Sequence, residues 1–323
     1  MTAALLDDEV DAARDVLAAV RGSVADVFIG DSSVVDMLLV GLLARGHALL
    51  EGVPGVAKTT LVRAFALTLG CSVRRIQFTP DLLPADITGT YVLDPRDGKF
   101  SFRSGPIFAN VVLADEINRA PAKTQSALLE AMQEGQVTVE GDRFELPRPF
   151  LVLATQNPID LEGTYPLPEA QIDRFLVHVR LGYPSRADEV RMLQRHGVAA
   201  PEPRTVLTTE DLRRLQSVAA RVHVEEDLLE YAVSLSEFTR RHPKVALGAS
   251  PRATLSLVRA AKAHAVLAGR SFLTPDDIRA VARAVIAHRL MLNTELEDEA
   301  AVRVSVVDAA LRDVGYRRSV RPV

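Results

Sequence analysis

The sequence predicts an α/β domain, a parallel sheet flanked by helices, followed by a second domain that is all helical. Five short β-type runs, "HALLEG", "RRIQF", "NVVLADE", "FLVLATQN" and "RFLVHVRL", alternate with helical patterns between about residues 46 and 182. Segments such as "VVLA" and "FLVLA" are apolar at consecutive positions, as expected of strands covered on both faces. After "LGYPSR" the strand pattern stops and helix start signals take over.

Residues 1–26 read as one amphipathic helix that packs on the α/β core, the core spans 27–183, and the helical domain spans 184–323. The long apolar stretch "VVDMLLVGLLARGHALL", Val34 to Leu50, is interrupted by Asp36 and Arg45, so it reads as a buried helix running into a strand and not as a membrane span. "GTYVLDPRDGKFSFRSGPIF" (Gly89 to Phe108) and "GQVTVEGDRFELPRPF" (Gly135 to Phe150) read as two β-hairpins inserted in the core, about 89–108 and 135–150, with "PRDG" and "EGDR" as turns. They are either working elements or stable surface ribbons. In the helical domain, Thr208 or Thr209 caps "TTEDLRRLQSVAARV". "TPDDIRAVARAVIAHRL" has Thr274 as its cap, Pro275 in the first turn and Asp277 three residues on.

A chain of 323 residues, 48% hydrophobic and 25% charged, can bury a substantial core without covalent staples. Its single cysteine, Cys71, cannot form an intramolecular disulfide and reads as a small core residue. The net charge of -4 gives no global pull toward phosphate backbones, so nucleic acid is not the default partner, although "RRHPK" (Arg240 to Lys244) is a local basic patch. The acidic start "MTAALLDDEVDAARD" lacks the basic and apolar regions of a signal peptide, and a cytoplasmic location is expected. There is no G-x-S-x-G, and the seven histidines are scattered; His178 reads as a packed strand residue.

The chemistry-bearing stretch is "GVPGVAKTT", formed by Gly52, Val53, Pro54, Gly55, Val56, Ala57, Lys58, Thr59 and Thr60. It follows a strand pattern and opens a helix pattern, the context of a phosphate-binding loop. Loop amides and the helix N-terminus would cradle phosphates, Lys58 would reach the β and γ oxygens, and the Thr59 hydroxyl would ligate Mg²⁺. Ala57 stands where such loops carry a second glycine. Because it precedes Lys58 at the mouth of the helix, a negative, near-helical φ is expected there. Asp115 and Glu116 end the apolar run "NVVLA", which places them at a strand's carboxyl end. Asp115 would complete the Mg²⁺ shell and Glu116 would orient and activate water, or the pair is a solvated turn. Asn157 ends "FLVLATQN" and either positions that water or simply forms a turn before Pro158.

These elements in this order resemble the AAA+ ATPases. The phrases "GHALLEGVPGVAKT", "RIQFTPDLLPADITG", "GPIFANVVLADEINRAPAKTQSALLEAMQE", "ATQNP" and "YPLPEAQIDRF" are similar to the MoxR family, from about Val27 to Ala287. The resemblance implies a P-loop AAA+ core with a helical lid. It also implies a hexameric Mg-ATP-driven machine with chaperone-like remodelling or metal-insertion action, often with a partner that contains a von Willebrand factor A (VWA) domain. Gly52, Gly55, Lys58 and Thr59 match Walker A, Asp115 and Glu116 match Walker B, and Asn157 matches sensor 1. Arg174 in "AQIDRF" matches the arginine finger supplied to a neighbouring subunit; otherwise it would pair within the chain with Asp173 or Glu169. Arg252, at a helix start in "GASPRA", matches sensor 2; a cation there opposes the helix dipole and needs an anionic partner such as a γ-phosphate. Arg119 in "EINRA" is a second interface residue or an ordinary surface one, and the adenine pocket falls near Phe28 to Gly30. The family also reads "GVPGxAKT", so Ala57 fits it. The hairpins resemble inserts of the clade that holds MCM helicases and magnesium chelatase. The alternatives are therefore a DNA-acting or chelatase-type motor, or a nucleotide-switched scaffold that does not hydrolyse.

Overall fold

The computed structural model describes residues 7–96, 98–158, 165–195, 201–293 and 298–317. Residues 1–6 of the expected first helix, Asp97 of the first hairpin, and 196–200, 294–297 and 318–323 of the expected helical domain lie outside the described residues.

The apolar runs form one parallel sheet. Its strands are β1 (Ala48–Gly52), β2 (Val73–Gln77), β5 (Val111–Asp115), β8 (Leu151–Gln156) and β9 (Val177–Leu181), in the order β2-β5-β8-β1-β9. β5 is buried at every position, as its unbroken apolar run requires, whereas the edge strand β2 exposes Arg74, Arg75 and Gln77. The order reverses at β1, which lies between β8 and β9. Open α/β sheets bind ligands beyond the carboxyl ends of their strands at such a reversal.

Helices cover both faces. α1 (Asp7–Ala25) sets Val10, Ala13, Leu17, Val20 and Val24 along one stripe and buries all of them. That stripe meets α3 (Lys58–Thr68) but also α8 (Thr209–Arg221) and α10 (Pro251–Leu267), and Arg221 pairs with Glu9 at 2.7 Å. The first helix thus bridges core and C-terminal helices; it does not pack on the core alone. α2 (Ser32–Leu43) starts at Asp31, whose carboxylate accepts the Ser33 amide at 2.8 Å, and it is buried between β9 and α10 before the chain enters β1. Cys71 is half-buried against the core, where burial pushes its thiol up to about 11, so it is an inert thiol at neutral pH.

α4 (Pro84–Thr88) leads into β3 (Gly89–Asp94), paired antiparallel with β4 (Lys99–Ser104). α5 (Ala122–Glu134) leads into the second hairpin, β6 (Gln136–Val139) with β7 (Asp142–Glu145). The hairpins clasp each other: Phe102 and Phe144 stack with centroids 3.9 Å apart, and Phe108 stands edge-on to both. The Tyr91 hydroxyl donates to Asp142 across the same contact.

Beyond the short α6 (Glu169–Ile172) and β9, the chain forms α7 (Arg186–Arg195), α8, α9 (Glu226–Arg241), α10, α11 (Pro275–Ile286) and α12 (Glu299–Asp313). A small antiparallel ribbon, β10 (Val245–Leu247) with β11 (Met291–Leu292), adds two strands that were not expected in the helical region; both are too short to show a period. Among the described residues, no helix is long and apolar enough to cross a membrane.

The start of α11 carries a buried charge cluster. Asp277 is fully buried and accepts from the Thr274 amide at 2.8 Å, the Thr274 hydroxyl at 2.7 Å and both Arg270 Nη atoms at 2.6 Å, with His264 Nδ1 at 2.7 Å. Burial alone would raise the carboxyl, but the hydrogen bonds from His264, Arg270 and Thr274 outweigh it and hold the group well below the usual carboxylate range. Because the folded value lies below the unfolded one, the stabilisation is present above about pH 4 and is lost as pH falls toward the folded value. Asp277→Asn should lower stability by about 2–4 kcal/mol in urea denaturation at pH 7. The gap from wild type should narrow as pH drops below about 4, where the carboxylate of the unfolded chain begins to protonate while the folded one is still ionised.

Candidate nucleotide site

The loop that joins β1 to α3 is shaped by two glycines. At Gly52 a Cβ would lie 2.8 Å from the Leu181 carbonyl oxygen of β9, so the sheet closes tightly on a bare Cα. Gly55 has φ 86° and faces open space, which leaves the loop's concave side clear for a ligand to approach the backbone. Lys58, the first residue of α3, folds its ammonium over the loop and donates to the carbonyls of Gly52 and, at 2.9 Å, Val53.

Ala57 departs from expectation. Its φ is 60° and ψ 27°, in the left-handed region, not the near-helical region. The backbone must turn left-handed at this point to swing from the loop into α3. The second glycine of a phosphate loop would meet that demand without penalty, whereas alanine costs about 1–2 kcal/mol. Glu116, at φ 56° and ψ 51°, is a second non-glycine residue held left-handed at the same edge of the sheet.

Asp115 closes β5 and is almost fully buried. Its carboxylate accepts the Thr59 hydroxyl, 3.2 Å from both oxygens, and the Thr155 hydroxyl of β8 at 2.6 Å. Arg75 of β2 also donates to Oδ2, from Nε at 3.2 Å and Nη2 at 2.7 Å. Thr155 in turn accepts the Glu116 amide at 3.0 Å and so fixes the turn that carries the second acid. The Glu116 side chain accepts from Gln77 at 3.2 Å and pairs with Arg119 at 3.3 Å. Asn157 follows β8 at the same edge, where Asn118 Nδ2 donates to its carbonyl at 3.0 Å. Beneath the loop, Glu51 contacts His178 at 2.8 Å and Arg180 at 3.3 Å and accepts from Gln156 at 3.1 Å. Burial raises the Glu51 carboxyl, but His178, Arg180 and Gln156 outweigh that and keep it low.

The donor set of Thr59 and Asp115 is oxygen only, which suits a hard divalent cation. Mg²⁺ is usually held by one or two carboxylates together with substrate phosphates, not by an all-protein cage. A cavity of about 390 Å³ lies beside the loop and shares Val56 with it. Phe28, Ile29 and Gly30 form one wall, and Leu181, Tyr183 and Met192 form another. This volume is within the usual range for small-molecule sites.

Arg174 and Arg252 lie elsewhere. Both line a cavity of about 320 Å³ with Gly46, His47 and Leu176, residues at the amino ends of β1 and β9. The loop lies at the carboxyl end of β1, so five residues of strand, about 16 Å at the usual rise, separate the two places. Arg252 was expected to find a γ-phosphate, yet it does not join the phosphate loop of its own chain. Its partner at 3.8 Å is Asp173, because α10 packs against α2 and α11 and not over the loop. The two acids weighed as partners for Arg174 are taken: Asp173 contacts Arg289 at 2.7 Å and Glu169 accepts from Arg303 at 2.8 Å. Among the described residues, Arg174 makes no ion pair, although it is half-buried.

Residues 47–177 match the family described as "ATPase family associated with various cellular activities (AAA)", and 237–309 match "AAA lid domain". The chain is 47% identical over 298 residues to "Chaperone MoxR1" of Mycobacterium tuberculosis, covering 89% of this chain and 79% of that protein. It is 33% identical over 311 residues to "Protein MoxR" of Methylorubrum extorquens, covering 88% and 90%. The solved structure of a candidate ATPase from Cytophaga hutchinsonii superposes with a TM-score of 0.86 at 39% identity, covering 96% of this chain and 98% of that one. The chain belongs to the MoxR family of AAA+ ATPases.

Four residues of this MoxR-family site were missed in the sequence: Arg75, Gln77, Asn118 and Thr155. Arg75 and Gln77 look like ordinary exposed positions on an edge strand. The only hint for Thr155 is that it lies two residues before Asn157, as a polar intrusion in an apolar run. Ala57→Gly should relieve the left-handed alanine, less the extra unfolded-state freedom of glycine, for a net gain of about 0.5–1 kcal/mol. In thermal melts without nucleotide this is a rise in Tm of about 1–2 °C for a chain of this size; an unchanged or lower Tm would mean that no strain is stored there.

Proposed function

We propose that this chain hydrolyses Mg-ATP at the edge formed by the loop, Asp115 and Glu116, and that hydrolysis is completed by arginines of a neighbouring subunit. Lys58 would leave the carbonyls of Gly52 and Val53 and reach the β and γ oxygens, while the amides from Gly55 to Thr60 receive the phosphates. A Mg²⁺ held by Thr59 and Asp115 would draw charge from the phosphate oxygens. Glu116, set by the Thr155 bond to its amide, would orient the attacking water, and Asn157 would help to place it. The adenine would occupy the cavity walled by Phe28 to Gly30 and Val56.

The observation that carries the intersubunit part is the position of Arg174: half-buried and, among the described residues, without an ion pair, in a cavity lined also by Arg45, Arg252, Arg259 and Arg289 with one acid, Asp173, at the edge of the sheet away from its own loop. A cavity this cationic suits a polyphosphate supplied from outside the chain, and an arginine finger contributes on the order of 10³ to 10⁵ in rate. On this reading Arg174 and Arg252 serve the neighbour's nucleotide together, and subunits assemble into a ring, a hexamer by family resemblance. The domains would divide as core 27–183 and lid 184–323. The relative named as a chaperone supports remodelling of client proteins as the output. A VWA-domain partner and a cytoplasmic, ATP-supplied setting complete the proposal. The clasped hairpins, with Phe100 and Leu93 exposed, would face the client or the pore.

Steady-state phosphate release tests the first half: wild type turns over, and Glu116→Gln loses at least about a hundredfold while retaining ATP binding. No turnover by wild type, or an unaltered rate in Glu116→Gln, would leave the scaffold reading in its place. The second half is tested by mixing Arg174→Ala subunits with Lys58→Ala subunits. Each is inactive alone, and mixed rings should recover partial activity because some interfaces then join an intact loop to an intact finger.

A further inference from the structure

Asp115 carries more partners than the proposed chemistry uses. Thr59 belongs to the metal site, and Thr155 ties the strand ends together. Arg75 has no part in either. It stands on the edge strand β2, with its side chain 56% exposed while the Asp115 side chain is 7% exposed, so a solvent-facing cation reaches inward onto a buried carboxylate. The contact is two-pronged, Nε and Nη2 to the same Oδ2, and Nη2 also donates to Gln77 Oε1 at 2.8 Å, which fixes the plane of the guanidinium. The in-register pairing of β2 with β5, with Gln77 opposite Asp115, sets this reach.

We infer that Arg75 is a built-in competitor for the metal site: its guanidinium neutralises Asp115 when no divalent cation is bound and must withdraw before one can be. The inference rests on the nucleotide-site reading above for the role of Asp115. Three features support it. A buried carboxylate with two hydroxyl donors and no cation would be a poorly compensated charge, so a resident positive partner stabilises the empty arrangement. A guanidinium and a divalent cation compete for the lone pairs of Oδ2 and repel each other there. Of the three side chains on this carboxylate, Arg75 has a long, half-exposed stem that can leave for solvent without breaking a strand or a helix. Thr155 cannot leave in that way, since it also holds the Glu116 amide. Arg75 therefore sets how much Mg²⁺ the site requires, and couples metal arrival to a side-chain movement at the sheet edge.

The test compares wild type, Arg75→Gln and Arg75→Lys in two measurements that do not depend on turnover. In the first, binding of a fluorescent ATP analogue is followed by anisotropy while MgCl₂ is titrated. The concentration of Mg²⁺ at half-maximal tightening should fall by about three- to tenfold in Arg75→Gln and stay near wild type in Arg75→Lys, while affinity in EDTA changes little. In the second, thermal melts are taken with MgCl₂ alone. Added Mg²⁺ should raise the Tm of Arg75→Gln more than that of wild type, and Asp115→Asn should abolish the difference. An unchanged or higher Mg²⁺ requirement in Arg75→Gln, with no added Mg²⁺ response in the melts, would overturn the inference and make Arg75 a positioning residue for Asp115. The MgCl₂-alone melts read the competition even if no nucleotide binds, so failure of the nucleotide reading and failure of this one are separable.

Discussion

The carboxylate of Asp115 is the point through which the core's edge is organised. It ends a strand buried along its whole length, where an isolated charge would be costly, and the surrounding elements supply the compensation. α3 offers the Thr59 hydroxyl, β8 the Thr155 hydroxyl and β2 the Arg75 guanidinium. Each donor fixes its own element relative to β5. The loop is held against β5 by Thr59, the Glu116 turn is held by Thr155, and the edge strand is held by Arg75. A packed parallel sheet can place backbone ends to within a strand spacing, but only hydrogen bonds to a shared acceptor bring the side chains into one site.

The same sheet separates the loop and its acids from Arg174 and Arg252. The acids and the loop lie at the carboxyl ends of the strands, while Arg174, Arg252 and their neighbours gather at the amino ends of β1 and β9. No rotation of side chains closes about 16 Å of strand. On the proposed reading, a chain built in this way presents half of a phosphate site on each of two edges, and two subunits are needed to complete it. Among the described residues Arg174 makes no ion pair, because the acids near it already hold Arg289, Arg252 and Arg303.

Much of this was legible in the sequence. Consecutive apolar residues fix the buried strands, and "GVPGVAKT" and "LADE" fix the loop and the acids because their spacing and place at strand ends are local properties. The hairpins were legible from their turns, and the Thr274 cap from its Asp277. The torsion at Ala57 was not, because it is set by closure of the loop onto α3 and by the tight contact of Gly52 with β9. Nor was the edge that Arg252 occupies: a helix-start motif says that an anion is wanted, but which side of the sheet the helix packs on is a tertiary outcome. Arg75 and Gln77 were invisible for a related reason. Their function depends on strand register with β5, and single-strand patterns carry no register.

The central claim is that one chain holds an incomplete site, and its most direct test is the ATPase rate per subunit measured across protein concentration under saturating Mg-ATP. The account predicts a specific activity that is negligible at high dilution, rises with the fraction of subunits assembled, and reaches a plateau once assembly is complete. A specific activity that is constant down to concentrations where sedimentation shows only monomers would contradict it.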